Sequence, residues 1–195
     1  MNVNLFTTFA PYTNRAKSIS QDEVYCLKRN LLAGFNSVNI VTYYEAEMDF
    51  AASLVMGAVN DQECRTKVSL RYVNSGFGQL MRPGVNSFIS DMNKPQFNNS
   101  INVLCQSSVY FNRVAVSDFS KFKGAGMVRF ANPTPLSDFS DYPSVVVFVG
   151  SPKFRIQSHF SLGQYGWVGS IMSEAHKVGL GVVNLGKKKF IYSYR

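Results

Sequence analysis

The cysteines and histidines are the first candidates for chemistry, and their spacing excludes the common metal and redox motifs. Cys26, Cys64 and Cys105 lie 38 and 41 residues apart, so they form neither a CxxC redox pair nor a four-ligand zinc site. His159 and His176 are 17 residues apart and match no HxxxH or HExxH pattern. We expect no histidine-built metal site, and reduced thiols that pack in the core of a cytoplasmic protein.

Glycine and serine motifs of nucleotide-binding and hydrolytic enzymes are weak in this chain. The pairs Gly76–Gly78 and Gly124–Gly126 lack the third glycine and the helix context of a dinucleotide fingerprint, and no GxxxxGK[ST] sequence occurs. Ordinary turn glycines explain both pairs. The GxSxG elbow of a serine hydrolase is also absent, although His159 and Asp138 can in principle meet a serine in space.

Composition points to one folded domain with an excess of positive charge. The 195 residues are 46% hydrophobic and 16% charged, which suits a single domain over residues 1–195 with a real core. Twenty Lys and Arg against 12 Asp and Glu give a net charge of +8, a balance that favours polyanionic partners such as nucleic acid. No signal peptide or membrane span is recognisable, so we expect no membrane partner.

Hydrophobic periodicity predicts an α/β domain, Rossmann-related, with a mostly parallel central sheet flanked by helices. Ser20 and Glu23 form a capping box for a helix that runs to Leu32 and ends at Gly34. The other predicted helices are Val85–Met92 and one after Ser161 that ends at Gly179. The predicted strands are Val3–Phe9, Ser37–Tyr44, Lys67–Val73, Ile101–Phe111 (turning polar at Gln106), Met127–Phe130, Val145–Val149, Val182–Asn184 and Phe190–Tyr194, the last two around a basic turn at Gly186–Lys189.

Three segments, in order, resemble nucleotide-sugar glycosyltransferases of the GT-A fold. Residues 5–47 (LFTTFAPYTNR and QDEVYCLKRNLLAGFNSVNIVTYYEAE) are similar to the family's first strand, arginine-bearing loop, helix and acid-ending strand. Residues 99–119 (NSINVLCQSSVYFNRVAVSDF) look like its central strand, and residues 145–195 like its closing region. The resemblance implies a GT-A-like fold and binding of a nucleotide diphosphate sugar.

This chain departs from the family where the family binds metal. A DxD-type acidic pair there holds Mg²⁺ or Mn²⁺ against the donor diphosphate, whereas the matching stretch here is Gln106–Asn112, without a carboxylate. Val168–Gly169 replace the family's Asp-Asn, and the terminal histidine position reads as Ser193 or a neighbour. We therefore expect no metal site and no cofactor, with Mn²⁺ or Mg²⁺ disfavoured, and assign no catalytic residue.

The resemblance implies a nucleotide-sugar site at the carboxyl ends of the strands. Its candidates are Thr7 and Thr8 for the base or ribose, Arg15 and Arg82 for the diphosphate, Glu45 after strand 2, and Ser107, Ser108 and Asn112 in place of the metal motif. Five of them have ordinary alternatives: strand capping for the two threonines, solvated surface charge for the two arginines, and a plain strand-end carboxylate for Glu45. Asp138, Asp141 and Glu174 are general-base candidates or helix caps, and Trp167 is a stacking residue or a packing anchor.

A basic and aromatic segment ends the chain. Lys187, Lys188, Lys189 and Arg195 alternate with Phe190, Tyr192 and Tyr194, as in nucleic-acid or other anion-binding grooves. Lysines that protect a hairpin edge from aggregation produce the same pattern.

Two functions remain open from the sequence. The first is a glycosyltransferase-like domain that binds a nucleotide sugar, metal-independent or weakly active, with a polyanionic acceptor such as modified DNA. The second is a catalytically dead glycosyltransferase fold that serves as a structural or interaction subunit of a larger assembly such as a virus particle. They imply a cytoplasmic protein or a virion component. A small basic nucleic-acid binder without chemistry is a third reading.

Overall fold

The computed structural model describes residues 1–9, 20–60, 66–73, 83–124, 127–135, 145–157 and 160–193. In chain order, its elements are β1 (Val3–Thr8), α1 (Gln21–Leu32), β2 (Ser37–Thr42), α2 (Glu45–Asn60), β3 (Lys67–Tyr72), α3 (Val85–Met92), a 3-10 helix (Pro95–Phe97), β4 (Ile101–Cys105), β5 (Val109–Phe111), α4 (Arg113–Ser120), β6 (Met127–Pro135), β7 (Val145–Val149), α5 (Trp167–Lys177) and β8 (Gly181–Ser193). In this part of the chain, no helix is long and apolar enough to cross a membrane.

The strands form a mixed, mostly parallel sheet in the order β3-β2-β1-β4-β7-β6-β8-β5. Strands β1 to β4 are parallel, β7 runs against both of its neighbours, and β8 is parallel to β6. Strand β5 closes the far edge antiparallel to β8. The carboxyl ends of β1, β2 and β4 therefore lie at one edge of the sheet, where folds of this type place ligands.

Helices cover both faces of the sheet, because alternate strand residues on each face are apolar. One core joins α1, α2 and α4 to the first face through Leu5, Val38, Val103, Val147, Leu27, Leu31, Ala51 and Phe119. The other core joins α3 and α5 to the opposite face through Phe6, Val41, Leu104, Val146, Phe88, Ile89, Ile171 and Ala175. The predicted α/β class and mostly parallel sheet are confirmed.

Local sequence signals predicted three elements at the residues where the structure has them. The hydroxyl of Ser20 accepts a hydrogen bond from the backbone N–H of Glu23 at 3.4 Å, and α1 ends before Gly34, whose φ is +92°. Helix α3 and strand β7 occupy the predicted residues.

Two predictions about secondary structure are wrong, and two helices were not predicted. The segment Ile101–Phe111 is two strands, because the chain turns at Gln106–Ser108. Residues 181–193 form one strand with register shifts, so Lys187–Lys189 lie in β8 and not in a turn; Lys187 and Lys188 pair with Asn132 and Pro133 of β6. Helices α2 and α4 were not predicted; α2 is apolar around much of its circumference and lacks the contrast that reveals a helix.

A buried polar network joins the strands near their amino ends. Asn4 and Asn102 face each other across β1 and β4, and the Asn4 Nδ2 donates to the Asn102 Oδ1 at 3.2 Å. The Ser37 Oγ donates to the Asn4 Oδ1 at 2.9 Å, and the Asn102 Nδ2 donates to the Gly150 carbonyl at 3.0 Å. These bonds satisfy polar groups that are costly to bury alone.

Candidate functional site

The carboxyl ends of β1 and β4 bring two threonines beside the turn that follows β4. Thr7 is in register with Cys105, and its Oγ1 donates to the Thr8 carbonyl at 3.3 Å. Thr7 and Thr8 are each only 2% exposed. The Thr8 Oγ1 has no hydrogen-bond partner among the described residues. A buried hydroxyl without a partner is unusual and marks a place where a ligand can supply one.

The turn Gln106–Ser108 presents only neutral polar groups at this edge. Its backbone closes through the Val109 N–H, which donates to the Gln106 carbonyl at 3.2 Å. The Gln106 Nε2 donates to the Ser108 Oγ at 3.0 Å, and both Gln106 and Ser107 are buried. Amide and hydroxyl groups of this kind bind sugar hydroxyls or phosphate oxygens by hydrogen bonds alone.

One asparagine holds the strand that follows the turn. Asn30 of α1 is buried; its Nδ2 donates to the Val109 carbonyl at 2.9 Å, and its Oδ1 accepts from the Phe111 N–H at 3.0 Å. Strand β5 is an edge strand, so the side chain of Asn30 takes the place of a neighbouring strand. The position of the turn therefore depends on α1. Sequence reasoning missed Asn30, because its partners are about 80 residues away along the chain.

Pairing of β5 with β8 brings two predicted positions together. Val109 lies opposite Ser193, so the position that the resemblance gives as Ser193 or a neighbour lies next to the turn Gln106–Ser108. Both positions are neutral in this chain.

The other candidates from the sequence are scattered or already engaged. Asn112 caps α4, since its Oδ1 accepts from the Ala115 N–H at 3.0 Å. Glu45 is an exposed first residue of α2. Trp167 is buried in the second core, as a packing anchor would be. Glu174 is buried and paired with the Lys177 Nζ at 2.7 Å.

Several predicted residues lie outside the described part of the chain. These are Arg15, Arg82, Asp138, Asp141, His159 and Arg195. Lys187–Lys189 are described only as backbone of β8. Their assigned roles in binding the diphosphate or another anion stay predictions.

The turn Gln106–Ser108 does not offer the ligands that a divalent metal prefers. Magnesium and manganese sites need carboxylate oxygens, whereas the donors of the turn Gln106–Ser108 are an amide and two hydroxyls. The described residues contain no group of three or more His, Cys, Asp or Glu side chains that could hold a metal.

Two buried thiols, Cys26 and Cys105, interact with each other, and one of them contacts Thr7. The Cys105 Sγ is 3.7 Å from the Thr7 Oγ1. Burial raises the pKa of Cys105 to about 12, although its hydrogen bond to Thr7 acts in the opposite direction. Burial, with a smaller contribution from Cys105, raises the pKa of Cys26 well above its usual range.

These thiols should be unreactive in the folded protein and should make it less stable in alkali. The unfolded thiols ionise near pH 9, while the folded ones keep their protons, so stability is full below pH 9 and falls as pH rises toward 12. In a Cys64→Ser variant, we expect Ellman's reagent to modify Cys26 and Cys105 only after guanidinium unfolding. The free energy of unfolding, measured in urea, should decrease less between pH 8 and pH 10 in Cys105→Val than in the parent. Rapid modification of both thiols in the native state contradicts this prediction.

One solved structure shares the architecture of this chain. The inositol-1-phosphate CTP transferase from T. maritima aligns with a TM-score of 0.58 at 13% sequence identity, covering 97% of this chain and 88% of that one. The present chain shares the fold of that CTP transferase. No protein-family model and no curated protein matches the sequence.

Two further structures are more distant. A 4-diphosphocytidyl-2C-methyl-D-erythritol synthase aligns at a TM-score of 0.47 and 11% identity, covering 96% of this chain and 90% of that one. Mannose-6-phosphate isomerase from Helicobacter pylori aligns at 0.41 and 11% identity, over 69% of this chain and 51% of that one.

Proposed function

We propose that the chain is a glycosyltransferase-like domain that binds a nucleotide diphosphate sugar at the carboxyl edge of β1 and β4 without a metal. The observation that carries the proposal is the buried, unpartnered hydroxyl of Thr8 beside a turn of neutral hydrogen-bonding groups. The fold supports it, because the aligned T. maritima enzyme is a CTP transferase.

Transfer would break the bond between the anomeric carbon and the diphosphate, with the electron pair leaving on the phosphate oxygen. The acceptor oxygen forms the new bond, and its proton passes to the departing diphosphate, either directly or through water. Hydrogen bonds from Gln106 and Ser107, with the predicted Arg15 and Arg82, would stabilise the developing charge. Since no described carboxylate lies in the turn, we expect slow turnover.

Replacing Thr8 by valine separates ligand binding from folding. Because the Thr8 Oγ1 has no partner among the described residues, valine should leave the Tm unchanged or raise it. Affinity for the donor nucleotide should fall about 5- to 20-fold, the loss expected for one hydrogen bond to a ligand. The measurement is calorimetry against UDP-, GDP-, CDP- and dTDP-sugars, in EDTA and in Mn²⁺, with Kd equal within about twofold in the two buffers.

Thr42 provides a matched control. It is as buried as Thr8, but its Oγ1 donates to the Tyr44 carbonyl at 3.1 Å, so Thr42→Val should lower the Tm and leave nucleotide affinity unchanged. A donor that binds only in Mn²⁺ contradicts a metal-free site. Failure of every nucleotide sugar to bind favours the alternative, a dead fold that serves as an interaction subunit of an assembly.

A further inference from the structure

Three tyrosines and three basic residues share the surface where α1 meets β5 and β8. The rings of Tyr110 and Tyr192 are stacked, with centroids 5.0 Å apart and planes at 19°. The ring of Tyr25 meets Tyr110 edge-on at 5.4 Å and is itself 41% exposed. Tyr110 is buried and anchors the group. A buried ring therefore supports one exposed ring, that of Tyr25, and one half-buried ring, that of Tyr192.

Positive charge runs along the same surface. Tyr25, Lys28 and Arg29 have the spacing that places residues on one side of a helix, and all three are exposed. The Arg29 guanidinium carbon is 6.0 Å from the Tyr110 ring centroid. The Arg113 Nε donates to the carbonyl of Leu32, which ends α1, at 3.3 Å. Asp22, one turn before Tyr25, is an acid on this side of the helix.

We propose that this tyrosine patch, defined by Tyr25, Tyr110, Tyr192, Lys28, Arg29 and Arg113, binds single-stranded nucleic acid. An unpaired base stacks on the exposed ring of Tyr25, and the three cations contact the backbone phosphates. Aromatic rings interleaved with cations match a strand whose bases are free to stack. A duplex, whose bases are already paired, can contact the cations through its phosphates but offers no base to stack on Tyr25.

Charge complementarity and position both support this partner. The net charge of +8 attracts a polyanion. Strand β5 begins directly after Ser108, so a strand bound to the patch lies next to the turn of the candidate donor site. The inference does not require nucleotide-sugar binding, and the assays below contain no nucleotide sugar.

The stacking contact is tested with fluorescein-labelled dT15 and rU15 in fluorescence anisotropy titrations of the full chain. Tyr25→Ala should weaken binding about tenfold or more, as loss of one stacked base does, whereas Tyr25→Phe keeps the ring and the affinity. Tyr72→Ala is the matched control, because Tyr72 is 44% exposed on the strand at the opposite edge of the sheet. It should bind like the parent, and circular dichroism checks that each variant is folded.

The phosphate contacts are tested by the salt dependence of binding. Lys28→Gln and Arg29→Gln should each reduce the slope of log Kd against log salt by about 0.7, the value for one contact to a single strand. Lys67→Gln, an exposed lysine on β3, should leave the slope unchanged.

Three outcomes would overturn the proposal. The first is no detectable binding of either oligonucleotide at low salt. The second is equal affinity for single strands and duplex together with no effect of Tyr25→Ala, which would mean unspecific attraction. The third is competition by polyglutamate as effective as that by dT15, which would assign the patch to an acidic protein partner.

Discussion

Replacing Asn102 by leucine is expected to lower the free energy of unfolding by about 2–5 kcal/mol. Asn102 is fully buried, and its Nδ2 donates to the Phe97 and Gly150 carbonyls at 3.1 and 3.0 Å. Leucine has a similar volume but leaves the Gly150 carbonyl and the Asn4 Nδ2 without the partners they have in the native protein. Each such group costs about 1–3 kcal/mol when buried.

Thermal and urea unfolding measure this effect. A loss of that size corresponds to a decrease in Tm of about 5–20 °C for a chain of this length. Asn99→Leu, at an exposed position three residues earlier, is the control and should change the Tm by no more than about 2 °C.

A double-mutant cycle with Asn4 shows whether the two asparagines act together. Asn4→Leu removes the other side chain of the same 3.2 Å hydrogen bond, so the double variant should cost less than the sum of the single ones, by about 0.5–3 kcal/mol. Additive costs would show that the contact between these side chains contributes no stability.

Replacing Asn30 by leucine is expected to loosen β5 and the turn before it, and to cost about 2–5 kcal/mol. The change removes both partners that Asn30 supplies to the outer edge of β5, at the Val109 carbonyl and the Phe111 N–H. Since β5 has a neighbouring strand on one side only, no strand can replace the lost bonds. Because the turn Gln106–Ser108 becomes less ordered, affinity for a nucleotide sugar should also decrease.

Hydrogen–deuterium exchange distinguishes this local effect from a general loss of stability. In Asn30→Leu, amides in residues 106–112 should exchange at least about tenfold faster than in the parent, beyond the change shared by β1 and β4. Lys28→Leu, an exposed change on the same helix, should leave residues 106–112 protected. Uniform acceleration across the sheet would mean that Asn30 supports global stability and has no special role at β5.

Local patterns were sufficient for the elements that carry strong local signals. The capping box at Ser20 and Glu23, the amphipathic run of α3 and the apolar run of β7 each depend on neighbours within a few residues. The alternation of such strands and helices predicted the α/β class. Helix α2 was missed, because an apolar helix with little sidedness gives no clear period.

The terminal basic segment shows how tertiary pairing overrides a local pattern. Gly186 followed by three lysines predicted a turn, yet pairing with β6 along residues 181–188 and with β5 at residues 191–193 keeps residues 181–193 in one strand. Backbone hydrogen bonds to β6 outweigh a local preference for turning at Gly186–Lys189.

For the candidate site, too, some features follow from the sequence and others only from the tertiary structure. The sequence by itself determined that the family's acidic pair is absent and that Thr7, Thr8, Ser107 and Ser108 are neutral, because residue types need no fold to be known. Only the tertiary structure decided that Ser193 faces Val109, that Asn30 holds β5 and that Tyr25, Tyr110 and Tyr192 meet on one surface. These contacts join residues about 80 positions apart along the chain, and strand order, which no local pattern encodes, sets their distances.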